Sequence, residues 1–337
     1  MKNRVFYLDI IRILACIMII AMHAPIPNTG LDSYVLSSIS MLTAPGIGLF
    51  VMVSGALLLP IRIPTKQFLH RRLRKIVGPI LFWTLVSMII YVPKDVILSS
   101  HIWSGLLSIP IQAQFSPILW FMYMLAGLYL LAPILSAWLR SATKRECRFY
   151  LCLWLITLCY PLVRSVLFVN ESYSGVFYYF SGYVGYFLLG YYIRMYVKTE
   201  SIWRSFLFFL IPITLATLLK ILKMQVPFYD VFWYLSAFTV MMCAAWFLLA
   251  KRIRIVYDET VGWHKIVALV SNCCFGIYLV HLFIMRSIIW KWTWLYDMGI
   301  MQIMLVTLMT FIGSFVVTWL ISFLPGAQYI IGFKQKR

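Results

Sequence analysis

Two ionisable side chains interrupt the first apolar stretch of the chain, which reads LDIIRILACIMIIAMHAP over residues 8–25. Arg12 and His23 are eleven residues apart, so at about 100° and 1.5 Å per residue they share a helix face, about 16 Å apart along the axis. Asp9 precedes Arg12 by three residues, within reach of an ion pair on a helix. We therefore expect one helix face to carry a cation and a base at different depths. Charged residues inside a bilayer are costly and usually functional, so both residues are candidates for a functional site.

A basic cluster follows the second apolar stretch, in FLHRRLRKIVGP at residues 68–79. Arg71 and Arg74 are spaced to point the same way at a helix end, and Arg72 stands in the same relation to Lys75. Guanidinium forks match the oxygens of phosphate groups. The cluster therefore predicts a cytoplasmic site for a phosphate-rich ligand, such as a nucleotide-containing cofactor.

Histidine and aromatic side chains recur in two later apolar stretches. His281 lies in SNCCFGIYLVHLFIMR, and Trp120 and Tyr123 open the stretch WFMYMLAGLYLLAPIL. Aromatic side chains combine an apolar face with a polar handle, which suits contact with a ligand that has both kinds of surface. We therefore take Trp120, Tyr123 and His281 as candidate substrate-binding residues.

Each of these features also has a plainer interpretation. Arg12 could extend towards the inner membrane surface while His23 lies in the outer interface. Basic clusters next to a membrane often bind only lipid head groups. His281 could be a hydrogen-bonded packing residue, and Trp120 and Tyr123 could belong to an interfacial aromatic belt.

Composition decides which elements must position these residues. The chain has 337 residues, of which 63% are hydrophobic and 12% charged, whereas soluble domains are about 25% charged. A soluble fold could not bury so much apolar surface. The sequence therefore predicts an all-α, polytopic integral membrane protein.

Apolar runs of about 20 residues are long enough to cross a bilayer as helices. A shorter run at 96–111 is expected to be interfacial or re-entrant. About ten transmembrane helices are predicted, at 6–26, 39–59, 76–93, 117–139, 149–169, 176–197, 203–222, 230–250, 265–289 and 300–324.

Basic residues alternate along these spans. Most of the 29 lysines and arginines fall before the first span, after the even-numbered spans and in the tail. The positive-inside rule then places both termini in the cytoplasm. The net charge of +19 is thus explained by topology, and its division among separate short loops argues against nucleic-acid binding.

The predicted spans leave little room for other domains. We expect residues 1–337 to form a single membrane-embedded domain with no appended soluble domain and no cleaved signal peptide. The seven cysteines lie mostly in apolar runs without metal-site spacing, so we interpret them as small apolar residues or free thiols and predict no metal site.

Five sequence landmarks occur in the same order as in a known family. The chain resembles the acyltransferase 3 family of integral membrane acyltransferases, and its short single-domain members in particular, which include O-acetyltransferases of enterobacterial common antigen. The landmarks are Arg12 with ten residues before His23, FVMVSGALLL at 50–59, RRLRKIVGP at 71–79, LWFMYMLAGLYLLAPIL at 119–135 and FGIYLVH at 275–281.

This resemblance implies an activity. An acyl group, usually acetyl, would pass from cytoplasmic acyl-CoA to a hydroxyl of a cell-surface polysaccharide or its lipid-linked precursor, in a bacterial inner membrane. The donor would be a substrate, acetyl-CoA, and no cofactor would be permanently bound. The basic cluster Arg71, Arg72 and Arg74 would hold the CoA phosphates.

The resemblance also implies roles within the first span. His23 would be a general base or a nucleophile that carries the acyl group, and these alternatives stay open. Arg12, steadied by Asp9, would orient the donor. Trp120, Tyr123 and His281 would contact the acceptor.

A second class of function fits a helical membrane protein with buried polar groups. A transporter or flippase for a lipid-linked sugar would also need them. Such proteins often contain inverted repeats, and we find no internal repeat in this sequence. An acyltransferase is therefore the favoured function.

Overall fold

The computed structural model describes residues 4–25, 39–93, 102–113, 115–160, 180–198, 201–221, 232–295 and 298–335. Within these ranges all regular secondary structure is helical. The prediction of an all-α chain is therefore confirmed. Residues Ile102–Ser108 of the predicted interfacial run form a short helix and 109–111 a turn, and residues 96–101 lie outside the described ranges.

The helices are named in chain order. The first half of the chain contains α1 (Phe6–His23), α2 (Pro45–Leu58), α3 (Thr65–Tyr91), α4 (Ile102–Ser108), α5 (Trp120–Ser141) and α6 (Lys144–Thr157). The second half contains α7 (Val184–Tyr196), α8 (Trp203–Ile221), α9 (Ala237–Lys251), α10 (Gly262–Ser287), α11 (Ile300–Ile321) and α12 (Ala327–Ile330).

Six helices of the described chain are long and apolar enough to cross a membrane. They begin at Phe6, Ile39, Thr65, Pro117, Gly262 and Ile300. Shorter apolar helices lie at Trp203–Leu218 and Ala237–Lys251, where two further spans were predicted. The remaining two predicted spans extend into residues outside the described ranges, so the total of ten stays a prediction.

The basic cluster lies on a helix rather than in a loop. The predicted third span begins at residue 76, whereas α3 begins at Thr65 and continues without a break to Tyr91. Between Thr65 and Val77 there is no glycine or proline that would end a helix. The helix therefore displays its basic residues in a fixed register before it turns apolar.

Helix α1 lies at the centre of the described bundle. It packs against α2, α9, α10 and α11, and Ile11, Ala15 and Ile20 are fully buried along it. Because neighbours surround this helix, the polar residues on it must be satisfied by protein groups or by a cavity. The groups that meet this requirement form the functional site described below.

Helices α2 and α7 approach each other closely. A Cβ atom added at Gly190 would lie 1.9 Å from the carbonyl oxygen of Met52, and one added at Gly55 would lie 1.8 Å from that of Phe187. Small residues allow helix backbones to approach this closely in membrane proteins. The glycines on both helices therefore fix the separation of α2 from α7.

Replacing Gly190 with alanine should destabilise the protein by about 1–3 kcal/mol, because backbone atoms cannot give way to the added methyl group. A detergent-solubilised variant should show a lower Tm. Gly127→Ala is the matched control, since nothing lies within 4 Å of the Cβ atom that it would add on α5. Equal Tm values for the two variants would refute the proposed role of close packing.

Candidate functional site

The carboxylate of Asp9 is the centre of a buried polar cluster between α1 and α10. Arg4 donates to it from Nε at 2.6 Å and from Nη2 at 3.0 Å. Ser271 of α10 donates its hydroxyl to the same carboxylate at 2.6 Å. Asp9 is only 5% exposed, so these contacts neutralise a charge that water cannot reach.

Arg12 belongs to the same cluster but is less tightly paired. Its Nη1 atom lies 3.8 Å from Asp9 Oδ1, as the spacing of the two residues predicts, and it donates to Ser271 at 3.0 Å. Arg4 provides the closer ion pair, at 2.6 Å, and sequence reasoning missed it. Arg4 precedes the start of α1, so helical spacing gave no signal. Arg12 is therefore left with a partly exposed guanidinium.

A cavity of about 240 Å³ opens beside Arg12 and is called the Arg12 cavity. Arg72 and Lys75 of α3 line it together with Arg12. Phe50 and Phe121 contribute apolar wall. Among the described residues that line the cavity, none is acidic. A set of cations around a partly apolar cavity suits a ligand that carries negative charge and an uncharged arm.

A second cavity of about 360 Å³, the Tyr329 cavity, adjoins the first. Arg71 and Arg74 line it, and Arg72 and Lys75 line both cavities. Arg74 donates a hydrogen bond to the hydroxyl of Tyr329. The structure thus brings Arg71, Arg72 and Arg74 together around the Tyr329 cavity. The pair Arg71 and Arg74 lines this cavity alone, whereas the pair Arg72 and Lys75 also lines the Arg12 cavity.

His23 lies at the opposite end of α1 and contacts a second histidine. The rings of His23 and His281 are 5.2 Å apart between centroids and inclined at 67°. Because Arg12 contacts Ser271 and His23 contacts His281, both residues face α10, as the helix geometry predicts. The contact also places His281 fully buried behind His23, away from any open surface.

Backbone contacts define the tautomers of both histidines. His23 Nδ1 lies 2.7 Å from the carbonyl oxygen of Ile19, and His281 Nδ1 lies 2.6 Å from that of Tyr278. A carbonyl oxygen only accepts, so each Nδ1 carries the hydrogen and each neutral ring keeps its lone pair on Nε2. His281 Nε2 is buried without a hydrogen-bond partner in the described structure. The pair therefore presents two proton acceptors.

Aromatic side chains connect the Arg12 cavity to the histidine pair. Tyr278 lines the cavity, packs against Phe121 at 5.2 Å, and its ring lies 5.8 Å from that of His281. His23 is not among the described residues that line the cavity. A ligand in the cavity would therefore reach the histidines by passing the wall that Tyr278 and Phe121 form.

Trp120 lies in an aromatic cluster that approaches His23. Its ring is 5.9 Å from that of Tyr183 and 5.8 Å from that of Tyr234. The hydroxyl of Tyr234 lies 3.0 Å from the sulfur of Met22, the residue before His23. Sequence reasoning missed Tyr183 and Tyr234, because their proximity to Trp120 depends on helix packing.

Tyr123 makes a different contact from Trp120. Its hydroxyl donates to the carbonyl oxygen of Ile109 at 2.6 Å, which ties α5 to the segment after α4. This placement indicates a role in holding that segment. Contact between Tyr123 and an acceptor stays a prediction.

Comparison with known proteins supports the expectation from the sequence landmarks. A family model described as an acyltransferase domain, that of the acyltransferase 3 family, matches residues 5–321. No curated protein and no solved structure matches the chain significantly. The matched region includes Arg12, His23, the basic part of α3 and His281. The chain therefore belongs to the acyltransferase 3 family of membrane acyltransferases.

Proposed function

We propose that this membrane acyltransferase moves an acetyl group from cytoplasmic acetyl-CoA to a hydroxyl of a cell-surface polysaccharide or its lipid-linked precursor. The observation that carries this proposal is the pair of adjoining cationic cavities, which share Arg72 and Lys75. The Arg12 cavity is in turn lined by Tyr278, whose ring lies 5.8 Å from that of His281, so the Tyr329 cavity, the Arg12 cavity and the histidine pair follow one another. A donor with phosphates at one end and a reactive acyl group at the other fits this order.

The donor would lie with its charged end in the Tyr329 cavity. Arg71 and Arg74 would bind nucleotide phosphates there, and Arg72 would bridge to the Arg12 cavity. Arginine binds phosphate through two parallel charge-assisted hydrogen bonds. The uncharged pantetheine arm would then follow the apolar wall past Arg12, where Arg12 would orient the donor as the family resemblance implies.

The chemistry would take place at His23. As the acceptor oxygen attacks the thioester carbonyl, His23 Nε2 takes the hydroxyl proton, the C–S bond breaks and the proton passes to the CoA thiolate. The hydrogen bond from Nδ1 to Ile19 favours this, because it leaves Nε2 free to accept. In the alternative route, Nε2 attacks the thioester, the C–S bond breaks and the CoA thiolate leaves. The acyl group then passes from Nε2 to the acceptor oxygen, whose proton goes to the thiolate.

The acceptor would approach from the end of α1 that carries His23. Trp120 and Tyr183 offer aromatic faces near that end. His281, buried against His23, is better placed to share the transferred proton than to contact a sugar directly. With both termini in the cytoplasm, as basic-residue alternation predicts, this end faces the outside of a bacterial inner membrane.

The proposal can be tested with purified protein in proteoliposomes. Radiolabelled acetyl-CoA is supplied with a lipid-linked glycan acceptor, and the labelled glycan is identified by mass spectrometry. Covalent transfer is the expected result, and competition with succinyl-CoA would define the acyl group. Movement of unmodified glycan across the bilayer without acetyl-CoA would instead support a flippase.

Replacing Arg72 with alanine should raise the KM for acetyl-CoA about 10- to 100-fold, since a charge-assisted hydrogen bond contributes about 1.5–3 kcal/mol. The kcat should change less, because Arg72 lies far from the reacting atoms. Arg145→Ala is the matched control, as Arg145 is an exposed arginine on α6 outside both cavities. An equal effect of the two substitutions would argue against a specific donor site.

A further inference from the structure

The last described segment of the chain lines both cavities. Gln328 and Tyr329 line the Tyr329 cavity, and Ile331, Gly332 and Phe333 line the Arg12 cavity. All of these residues follow residue 321, where the match to the family ends. The segment 328–333 is therefore a wall of the candidate donor site that family membership does not account for.

Specific contacts hold this wall against α3. Trp83 donates its indole hydrogen to the carbonyl oxygen of Ile330 at 2.9 Å. The guanidinium carbon of Arg74 lies 5.0 Å from the centroid of the Tyr329 ring. Gly78 leaves room for the backbone, because a Cβ atom there would lie 2.8 Å from the oxygen of Tyr329. The segment is thus fixed at the basic part of α3.

The hydroxyl of Tyr329 has a free hydrogen to offer. Arg74 donates to the phenol oxygen, so that oxygen acts as the acceptor and its own hydrogen remains available. Tyr329 lines the same cavity as Arg71, Arg72 and Arg74. A phosphate oxygen is the acceptor that such surroundings favour.

Gly332 shapes the neighbouring part of the wall. Its φ of +68° is in the left-handed region, which suits glycine. A Cβ atom added there would lie 2.7 Å from the ring of Phe275, another residue that lines the Arg12 cavity. Any side chain at this position would therefore displace the apolar wall.

We propose that segment 328–333 is a donor-binding element: Tyr329 hydrogen-bonds a phosphate of the nucleotide, and Ile331–Phe333 contact the uncharged arm. This inference rests on the proposed function, since it takes an acyl-CoA as the ligand. It adds residues beyond the family-matched region to the site. It also predicts that the two parts of the segment recognise different parts of the donor.

The test compares two donors, acetyl-CoA and S-acetylpantetheine, which lacks the nucleotide. Tyr329→Phe should raise the KM for acetyl-CoA about 3- to 10-fold, the effect of one lost hydrogen bond, and leave the KM for S-acetylpantetheine unchanged. A purely structural role would change both values alike. An equal change for both donors, or no change for either, would overturn the assignment of Tyr329.

Gly332→Ala should instead raise the KM for both donors, because it alters the wall along the shared arm. Gly326→Ala is the matched control. Gly326 has a similar φ of +81°, but a Cβ atom added there would lie 3.9 Å from its nearest neighbour, a ring atom of Tyr329. Equal KM values for these two variants would overturn the role of the wall. Failure of the wild-type protein to use either donor would refute the proposed function itself.

Discussion

Replacing His23 with alanine is expected to lower the kcat for acyl transfer by about 10²- to 10⁴-fold, the usual contribution of a positioned general base. Its Nδ1 is held by the carbonyl oxygen of Ile19, so the ring is fixed with Nε2 available. The KM for acetyl-CoA should change little, because the cationic cavities lie towards the other end of α1. Steady-state kinetics in proteoliposomes would separate the two parameters.

A matched control distinguishes the loss of a base from the loss of a buried ring. His264 is also buried on α10. Its Nδ1 accepts a hydrogen bond from the amide of Asp258 at 3.0 Å, and its ring lies away from His23 near the other end of α10. His264→Gln should lower stability while the folded protein keeps its kcat. A His23→Ala enzyme with wild-type kcat would remove His23 from the mechanism.

A trapping experiment separates the two chemical roles of His23. Wild-type protein incubated with acetyl-CoA, but without acceptor, is quenched in acid and analysed by mass spectrometry. An acetyl group found on His23 would establish the nucleophilic route. Turnover without any such acyl-enzyme would favour direct attack by the acceptor hydroxyl, with His23 as the base.

Local helix geometry explains which parts of the site could be predicted from the sequence. The shared face of Arg12 and His23 and the pairing of Asp9 with Arg12 depend only on positions along one helix, and both are found in the structure. Arg4 could not be predicted in this way, because it reaches Asp9 from outside the helix. Ser271 is 262 residues from Asp9, and its role depends on how α1 packs against α10.

The candidate donor site shows the same limit. The sequence predicted a phosphate site at Arg71, Arg72 and Arg74; all three line the Tyr329 cavity, and helical spacing explains why only Arg72 of the three also lines the Arg12 cavity. Nothing in the local sequence of residues 328–333 predicts that they form a wall of the two cavities. Its position depends on contacts with Trp83 and Arg74, which are distant in sequence. The six long apolar helices of the described chain were predictable from apolar length alone, but the earlier start of α3 was concealed by its charged residues.

Replacing Asp9 with asparagine is expected to destabilise the protein by about 3 kcal/mol, near the lower end for a broken buried ion pair. Arg4 would keep its charge between α1 and α10 but lose its carboxylate partner at 2.6 Å. The low end applies because the Arg4 side chain retains 13% exposure. Reversible unfolding in mixed micelles would measure the change in the free energy of unfolding.

Removing both partners should largely restore stability. Arg4→Met combined with Asp9→Leu replaces the pair by apolar side chains, which for buried pairs is often neutral, to within about 1 kcal/mol. Glu146→Gln serves as the comparison for an exposed carboxylate, since Glu146 caps α6 through Thr143 in an exposed position. If the losses of stability of the single variants Arg4→Met and Asp9→Leu simply added in the double variant, Arg4 and Asp9 would not be coupled. Coupling would instead show that Asp9 stabilises the protein through its ion pair with Arg4, the closer of its two arginines.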